Sequence, residues 1–364
     1  MATQRQVIPA ATFELKCIGK FPRMRALYWD GDVLYASKGY ELFLGKTDGG
    51  TVTWQTVGFY HPEWWRKITS ALRLGFRLFR DGFHALTRLP TNHLIAAVPK
   101  AIVVLTPGEN EFRVSHRILR GTRPLHIAST LDGHVYWGEY FDNPRREEVH
   151  IYASTDHGVT WNVAYTFPKG AIRHVHNIVY DQWGNCLWVL TGDNGAECRI
   201  LKASCDFRSV EEIVSGNQQA RAVAFVPTRD ALFFSSDTPF EANHVYSLDR
   251  HWNLRRLSSL SSSSIYGCRV SDTIFFSTMI EPTEVNRDQH ARIYGSAEGQ
   301  NWQDLLAWRK DIWPKGLFQF GNVLLPDGSN TSNVLALTTI AVQTDDLQTS
   351  LWSVESSSDK SSML

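Results

Sequence analysis

The chain has 364 residues, 43% of them apolar, with 37 basic residues set against 37 acidic ones. That length suits two ordinary domains or one large all-β ring, and the balanced charge supplies no overall field to gather nucleic acid, so selectivity for charge has to be local. Five cysteines without a CxxC pair suggest neither a disulfide framework nor a zinc knuckle. The opening MATQRQVIPAATFELK lacks the continuous apolar stretch of a secretory signal, and no run of about 18 apolar residues occurs anywhere. A cytoplasmic protein is therefore expected, with peripheral contact at a membrane through one segment.

Along the chain, short apolar runs rich in Val, Ile, Phe and Trp, bounded by DG, PTN, PTR and PDG turns, read as strands. They recur as units, each opening with a polar residue that leads into a strand, a turn and a second strand. The openings are Arg25, His84, Arg123, Arg173, Arg221, Arg269 and Gln319, spaced by 48 to 50 residues from Arg123 onward. Between the first unit and His84, residues 61–82 (HPEWWRKITSALRLGFRLFRDG) read as one helix. At about 100° per residue, Arg66, Arg73, Arg77 and Arg80 form one stripe and Trp64, Trp65, Ile68, Leu72, Phe76 and Phe79 the opposing face. A basic stripe opposite paired tryptophans suits an anionic membrane surface. From Val354 the chain turns serine-rich and too polar to bury, so residues 354–364 are expected to form a disordered tail behind a single domain of residues 1–353.

A second periodic series runs through the same units. Ser154, Asp156, Gly158 and Trp161 form S-x-D-x-G-x-x-W, and Asp156, Asp206, Asp249, Glu298 and Asp346 follow one another at 50, 43, 49 and 48 residues, with Asp48 lying 108 residues upstream, a double step. The aspartate accepts backbone N–H groups of a turn, the glycine permits positive φ, and the aromatic plugs a core edge. This pattern resembles the Asp-box of sialidase-like β-propellers over almost the full length. The resemblance implies an all-β fold, a seven-bladed β-propeller of four-stranded antiparallel blades with six blades as runner-up and one inserted amphipathic helix. TFELKCIGKF is expected to close the ring in the last blade, with LWSV at 351–354 competing for that place.

In such a ring the unit openings and the loops between second and third strands share one rim, and the Asp-boxes occupy the other. Arg25, His84, Arg123, Arg173, Arg221 and Arg269 then converge near the axis with His174 and His176, and loops add Glu139, Asp193, Asp237 and Glu281. Arginine forks facing a narrow axis call for carboxylates or an anionic ligand, so an acidic oligo- or polysaccharide is the expected partner. By analogy with sialidases, Arg25, Arg221 and Arg269 stand for a carboxylate-binding triad, Tyr266 with Glu139 for the nucleophile and its base, and Asp237 for the acid of a glycoside hydrolase. Elimination beside a uronate would instead draw on His84, His126, His174, His176 and Tyr266. A glycan-binding or assembly ring without catalysis is the third reading. His-x-His at 174 and 176 is also metal-ligand spacing, but nothing in the sequence fixes a third ligand beside it, so neither metal nor cofactor is assigned.

Overall fold

Burial follows strand position within each repeat. Leu94–Val98 and Ala101–Leu105 are buried at every residue, as is Cys186–Gly192, whereas Arg113–Arg117 and Leu254–Ser259 are polar and largely exposed. Middle strands lie between two neighbouring sheets and must be apolar on both faces, while the last strand of each sheet faces outward. The cores accordingly join adjacent sheets: Ile95 and Ile102 pack with Val135 and Trp137, and Trp188 and Leu190 pack with Phe225 and Phe234.

The computed structural model describes residues 13–48 and 51–356. Five sheets are separate four-stranded blades: Ala85–Arg88 through Arg113–Arg117, Ala128–Ser129 through Asn162–Phe167, His174–Asp181 through Val210–Ser215, Ala222–Pro227 through Leu254–Ser259, and a closing sheet. The expectation of seven separate four-stranded blades is corrected here. The remaining strands form one nine-stranded sheet, in which Asp327–Asn330 runs parallel both to Arg25–Gly31 and to the end of Ser264–Val270 and joins their two arms. Gly328, at φ 93°, makes this possible, since a Cβ there would lie 2.1 Å from the Trp29 carbonyl oxygen.

In the closing sheet the order is Asn322–Leu324, Val334–Ile340, Gln348–Ser356 and Phe13–Pro22. LWSV therefore supplies the third strand and the N-terminal segment the fourth, paired from Phe13↔Ser356 to Pro22↔Gln348. The strand Gln348–Ser356 runs past the expected start of the tail at Val354, and residues 357–364 lie outside the described residues.

The turns between third and fourth strands carry the acid motif as expected for Asp156, Asp206, Asp249 and Glu298. Asp156 Oδ1 accepts from Ser154 Oγ (2.8 Å) and Thr160 N (2.9 Å), and the Gly158 N–H donates to Ser154 Oγ (2.9 Å). Trp161 Nε1 reaches Ser115 of the preceding blade at 3.0 Å, so the motif also ties neighbours together. Asp346 departs from the series. It lies between the second and third strands of the closing sheet, on the other rim, because that sheet takes its fourth strand from the N-terminus and has no third-to-fourth turn.

The expected single helix is two: α1 (Trp64–Ala71) and α2 (Arg73–Phe79), broken at Leu72, whose φ −98° and ψ 128° are extended. Gly75 lets α2 fold back closely, since a Cβ there would meet the Thr69 carbonyl at 2.7 Å. The basic stripe faces inward. Arg66 pairs with Asp81 (2.7 Å), Arg73 with Asp346 (2.7 Å), and the fully buried Arg77 with Asp311 (2.5 Å) while donating to the Phe318 carbonyl. Phe76 packs against Leu324, Ile340 and Leu347. The outward side is apolar, with Trp64 at 73%, Ile68 at 56% and Leu72 at 59% exposure. The helix pair is thus a lid held on the rim by buried ion pairs. No helix among the described residues is long and apolar enough to cross a membrane.

Candidate functional site

Three guanidiniums meet at the axial mouth beside the lid. Arg25 opens the first inner strand, Arg80 caps α2 with a left-handed φ of 51°, and Arg123 precedes Ala128–Ser129. Neutral His84 ties two of these segments together: its Nδ1 accepts from Arg25 Nη1 at 2.8 Å, and its Nε2–H donates to the Arg80 carbonyl at 2.5 Å. Burial first, and then the charges of Arg123 and Arg25, hold the His84 imidazole well below its ordinary pKa. Burial also lowers Arg25, which is bonded to Tyr266, and burial with the Arg25 and Arg80 charges lowers Arg123. Among the described residues, none of these three arginines has a carboxylate within ion-pair distance.

Across the mouth lies a paired cluster. Asp193 receives Arg173 Nη1 at 3.2 Å, Arg221 Nη2 at 3.3 Å, His176 Nε2 at 3.2 Å and His174 Nε2 at 3.5 Å. Burial alone would raise this carboxyl, but its bonds to the two histidines hold it far below the usual range. Arg221 also lies 3.6 Å from Asp237, whose carboxyl is pushed up to about 7 by burial first and by Glu281 and Asp193, against the pull of Arg221. Glu281 accepts from Ser263 Oγ at 3.1 Å, and Ser263 belongs to a buried network with Thr238, Asn243 and Asn286 that stiffens both loops. The Nε atoms of Arg173 and Arg221 are buried without a protein acceptor. Tyr140 links the two halves: its ring centroid is 4.3 Å from that of His174, and burial together with Asp193 and Asp237 pushes its phenol up to about 12.

Most of the residues expected at the rim are therefore assembled there: Arg25, His84, Arg123, Arg173, His174, His176, Asp193, Arg221, Asp237, Glu281 and Tyr266. Two are not. Glu139 is 5% exposed and is held by both ends of Arg120 and by the His150 N–H at 2.9 Å, since adjacent strand residues point to opposite faces and Tyr140 takes the axial side. Arg269 falls near the far end of Ser264–Val270 and pairs with Asp272 at 2.9 Å. That arm opens at Ser263 and Ser264, without a charged residue to mark it. His126 sits deeper, 2.9 Å from Asp327 of the bridging strand. Arg80 was absent from the rim set expected from sequence, although its place just before the His84 opening could have signalled it.

Beside Arg25 a cavity of about 560 Å³ opens between the lid and the first arm, lined by Arg23, Lys38, Tyr40, Tyr60, Lys67 and Phe76 among others. Its size is that of a small-ligand site.

The likeness to solved structures concerns the whole ring. The chain aligns with a structure described as the mitotic checkpoint complex at TM-score 0.56 and 10% identity, covering 97% of this chain and 99% of the other. It aligns equally with the WD40 β-propeller domain of Doa1, at TM-score 0.57 and 10% identity over 94% and 97%. The chain has a β-propeller fold. At this identity the propeller likeness extends to architecture alone. No family model and no curated protein matches the sequence, so the resemblance to Asp-box propellers rests on the turn motif itself.

Proposed function

We propose that this propeller binds a carboxylate-bearing sugar chain across its axial mouth and under the edge of the lid. The observation that carries this is the convergence of Arg25, Arg80 and Arg123 without a carboxylate partner among the described residues. Like charges gathered in a partly dry mouth repel one another, and an incoming carboxylate relieves that repulsion while matching the guanidinium fork. The buried Nε donors of Arg173 and Arg221 offer further bonds to an anion, and the adjacent cavity gives room for neighbouring residues of the chain.

Of the two chemistries suited to such a ligand, elimination fits better than retaining hydrolysis. The tyrosine–glutamate pair needed for hydrolysis is not assembled, because Arg120 holds Glu139 away. For elimination, guanidiniums neutralise the sugar carboxylate, a base takes the neighbouring C5 proton, the C4=C5 bond forms, and the leaving oxygen accepts a proton. Tyr266 beside Arg25 and Tyr140 beside His174 are the phenols in reach, and Asp237, protonated up to about neutral pH, is an acid in the same mouth. Incubation with polyuronates separates the outcomes: ultraviolet absorbance of an unsaturated uronate supports elimination, new reducing ends without it point to hydrolysis, and unchanged polymer with retained binding leaves a binding protein. Arg25→Ala and Arg123→Ala should each weaken uronate binding at least about tenfold, as loss of one buried charge-assisted bond implies; unchanged affinity in both refutes the site.

A second reading is favoured by the lid's outer side. With Arg66, Arg73 and Arg77 spent on internal acids, the exposed Trp64, Ile68 and Leu72 present an apolar ridge with much of its cationic stripe turned inward, which suits a protein partner better than an anionic bilayer. One of the similar propellers is likewise part of a protein complex, by its description. Salt-sensitive sedimentation of the protein with anionic vesicles would reverse that preference.

A further inference from the structure

We infer that His174, His176 and Asp193 form a binding site for one divalent transition-metal ion. The inference starts from the outer nitrogens. His174 Nδ1 lies 3.1 Å from the Phe141 carbonyl oxygen and His176 Nδ1 lies 3.0 Å from the Ala222 carbonyl oxygen. A carbonyl oxygen only accepts, so each neutral imidazole carries its proton on Nδ1 and turns a lone pair outward from Nε2. Those two Nε2 atoms are 3.2 Å apart, and both face Asp193 Oδ1, itself an acceptor, at 3.2 and 3.5 Å. Three lone pairs converge on one point in a buried place, an arrangement that is repulsive until a cation occupies its centre.

The dimensions fit a metal. A triangle with sides of 3.2, 3.2 and 3.5 Å places its corners about 1.9 Å from their common centre. An ion at the bond length of about 2.1 Å usual for zinc with imidazole or carboxylate then sits roughly 0.9 Å out of the plane, capping three ligands and keeping its remaining positions open. The backbone bonds at both Nδ1 atoms are the outer-shell support that orients metal-binding histidines. Both rings are buried, and Asp193 is partly buried.

Charge does not oppose the ion. Arg173 and Arg221 bring two positive charges to Asp193, but Asp142 pairs with Arg173 at 2.5 Å, Asp237 lies 3.6 Å from Arg221, and Glu281 is held close by through Ser263. Four carboxylates against two guanidiniums leave a formal excess of two negative charges, which one dication balances. The open positions face the Tyr140 ring, 4.3 Å from His174, at the junction with the arginine cluster. The ligand set is complete within this chain and does not rest on the reading of the mouth as a sugar site.

The test begins with the unsubstituted protein, stripped by chelator and dialysed. Calorimetric titration with Zn²⁺ should show one equivalent bound, and Co²⁺ should produce visible d–d absorption of a low-symmetry site. His174→Gln and His176→Gln should each weaken Zn²⁺ binding by more than about 100-fold, beyond what loss of an outer-shell partner costs, with unchanged circular dichroism. Asp193→Asn frees both arginines and risks the local fold, so the histidine variants carry the comparison. Failure of the stripped parent to bind Zn²⁺, Co²⁺ or Mn²⁺ at one-to-one stoichiometry overturns the site and leaves a shared proton between the rings. Undiminished binding in both histidine variants overturns it equally.

Discussion

Arg77 is the test of whether the lid is a fixed part of the ring. Its side chain is fully buried, donates to Asp311 Oδ2 at 2.5 Å, and gives both Nε (3.2 Å) and Nη2 (2.8 Å) to the Phe318 carbonyl. Arg77→Met keeps the length of the chain and removes the charge and three bonds. Losing one partner of a buried ion pair costs about 3–5 kcal/mol, but Asp311 retains Lys310 and Asp346 retains Arg73, so about 2–4 kcal/mol is expected. The lid is attached to the rim by few other polar contacts, so the loss should appear as local opening. Amides of residues 64–79 should exchange about 30- to 900-fold faster, the equivalent of that energy at about 1.36 kcal/mol per tenfold, while amides of Leu94–Val98 stay protected. The same pair sets an acid limit. Burial would raise the Asp311 carboxyl, but Lys310 and Arg77 hold it below its ordinary value, so its stabilisation is full above about pH 4 and fades as pH falls through the depressed value. Unchanged exchange over residues 64–79 in the variant would refute the account of the lid.

Gly158→Ala should lower global stability by about 2–4 kcal/mol in denaturant unfolding, combining left-handed strain with overpacking, because φ is 82° and the new Cβ would lie 2.6 Å from Ile95 Cγ1; uronate preference should not change. Arg250→Met should flatten the acid limb of the stability curve. Burial would raise Asp181, but Arg250 and the Trp188 indole hold it low, so its contribution is present above about pH 4 and lost below. Arg269→Ala should leave uronate affinity as in the parent, since Arg269 pairs with Asp272 on the opposite rim, and a loss equal to that of Arg25→Ala would show the rim assignment to be wrong.

The parts of this molecule legible in its sequence are those set by neighbours in the chain. The Ser154–Asp156–Gly158 turn closes within seven residues through its own side chains, so its signature survives in isolation. Openings marked by charge, such as Arg173 and Arg221, were legible for the same reason. Features set by distant partners were not. The polarity of the helical segment was clear, but its orientation depended on Asp311 and Asp346, more than 200 residues away, which turned the arginines inward. Asp327–Asn330 joins two arms remote in sequence, and nothing within those four residues announces a bridge. The exchange of Glu139 for Tyr140 shows how a period of two makes one position decisive: a shift of a single residue moves a carboxylate from the mouth to the back of the strand. His-x-His lacked its third partner until the loop carrying Asp193 folded against it.

The closing sheet has a consequence for the order of assembly. Its outer strand, Phe13–Pro22, is among the first segments to leave the ribosome, and its partner, Gln348–Ser356, is among the last. Every other blade draws its four strands from one continuous stretch and can form while synthesis proceeds, yet the ring cannot be sealed until more than 300 further residues have followed. Until then the early strand must wait unpaired, with both a backbone edge and the flank of the first arm uncovered. Sealing is therefore a single late event of very long loop closure, slow to occur. Once it is made, the pairing holds the ring by its two distant segments, and the outermost blades cannot peel away one after the other from a free end.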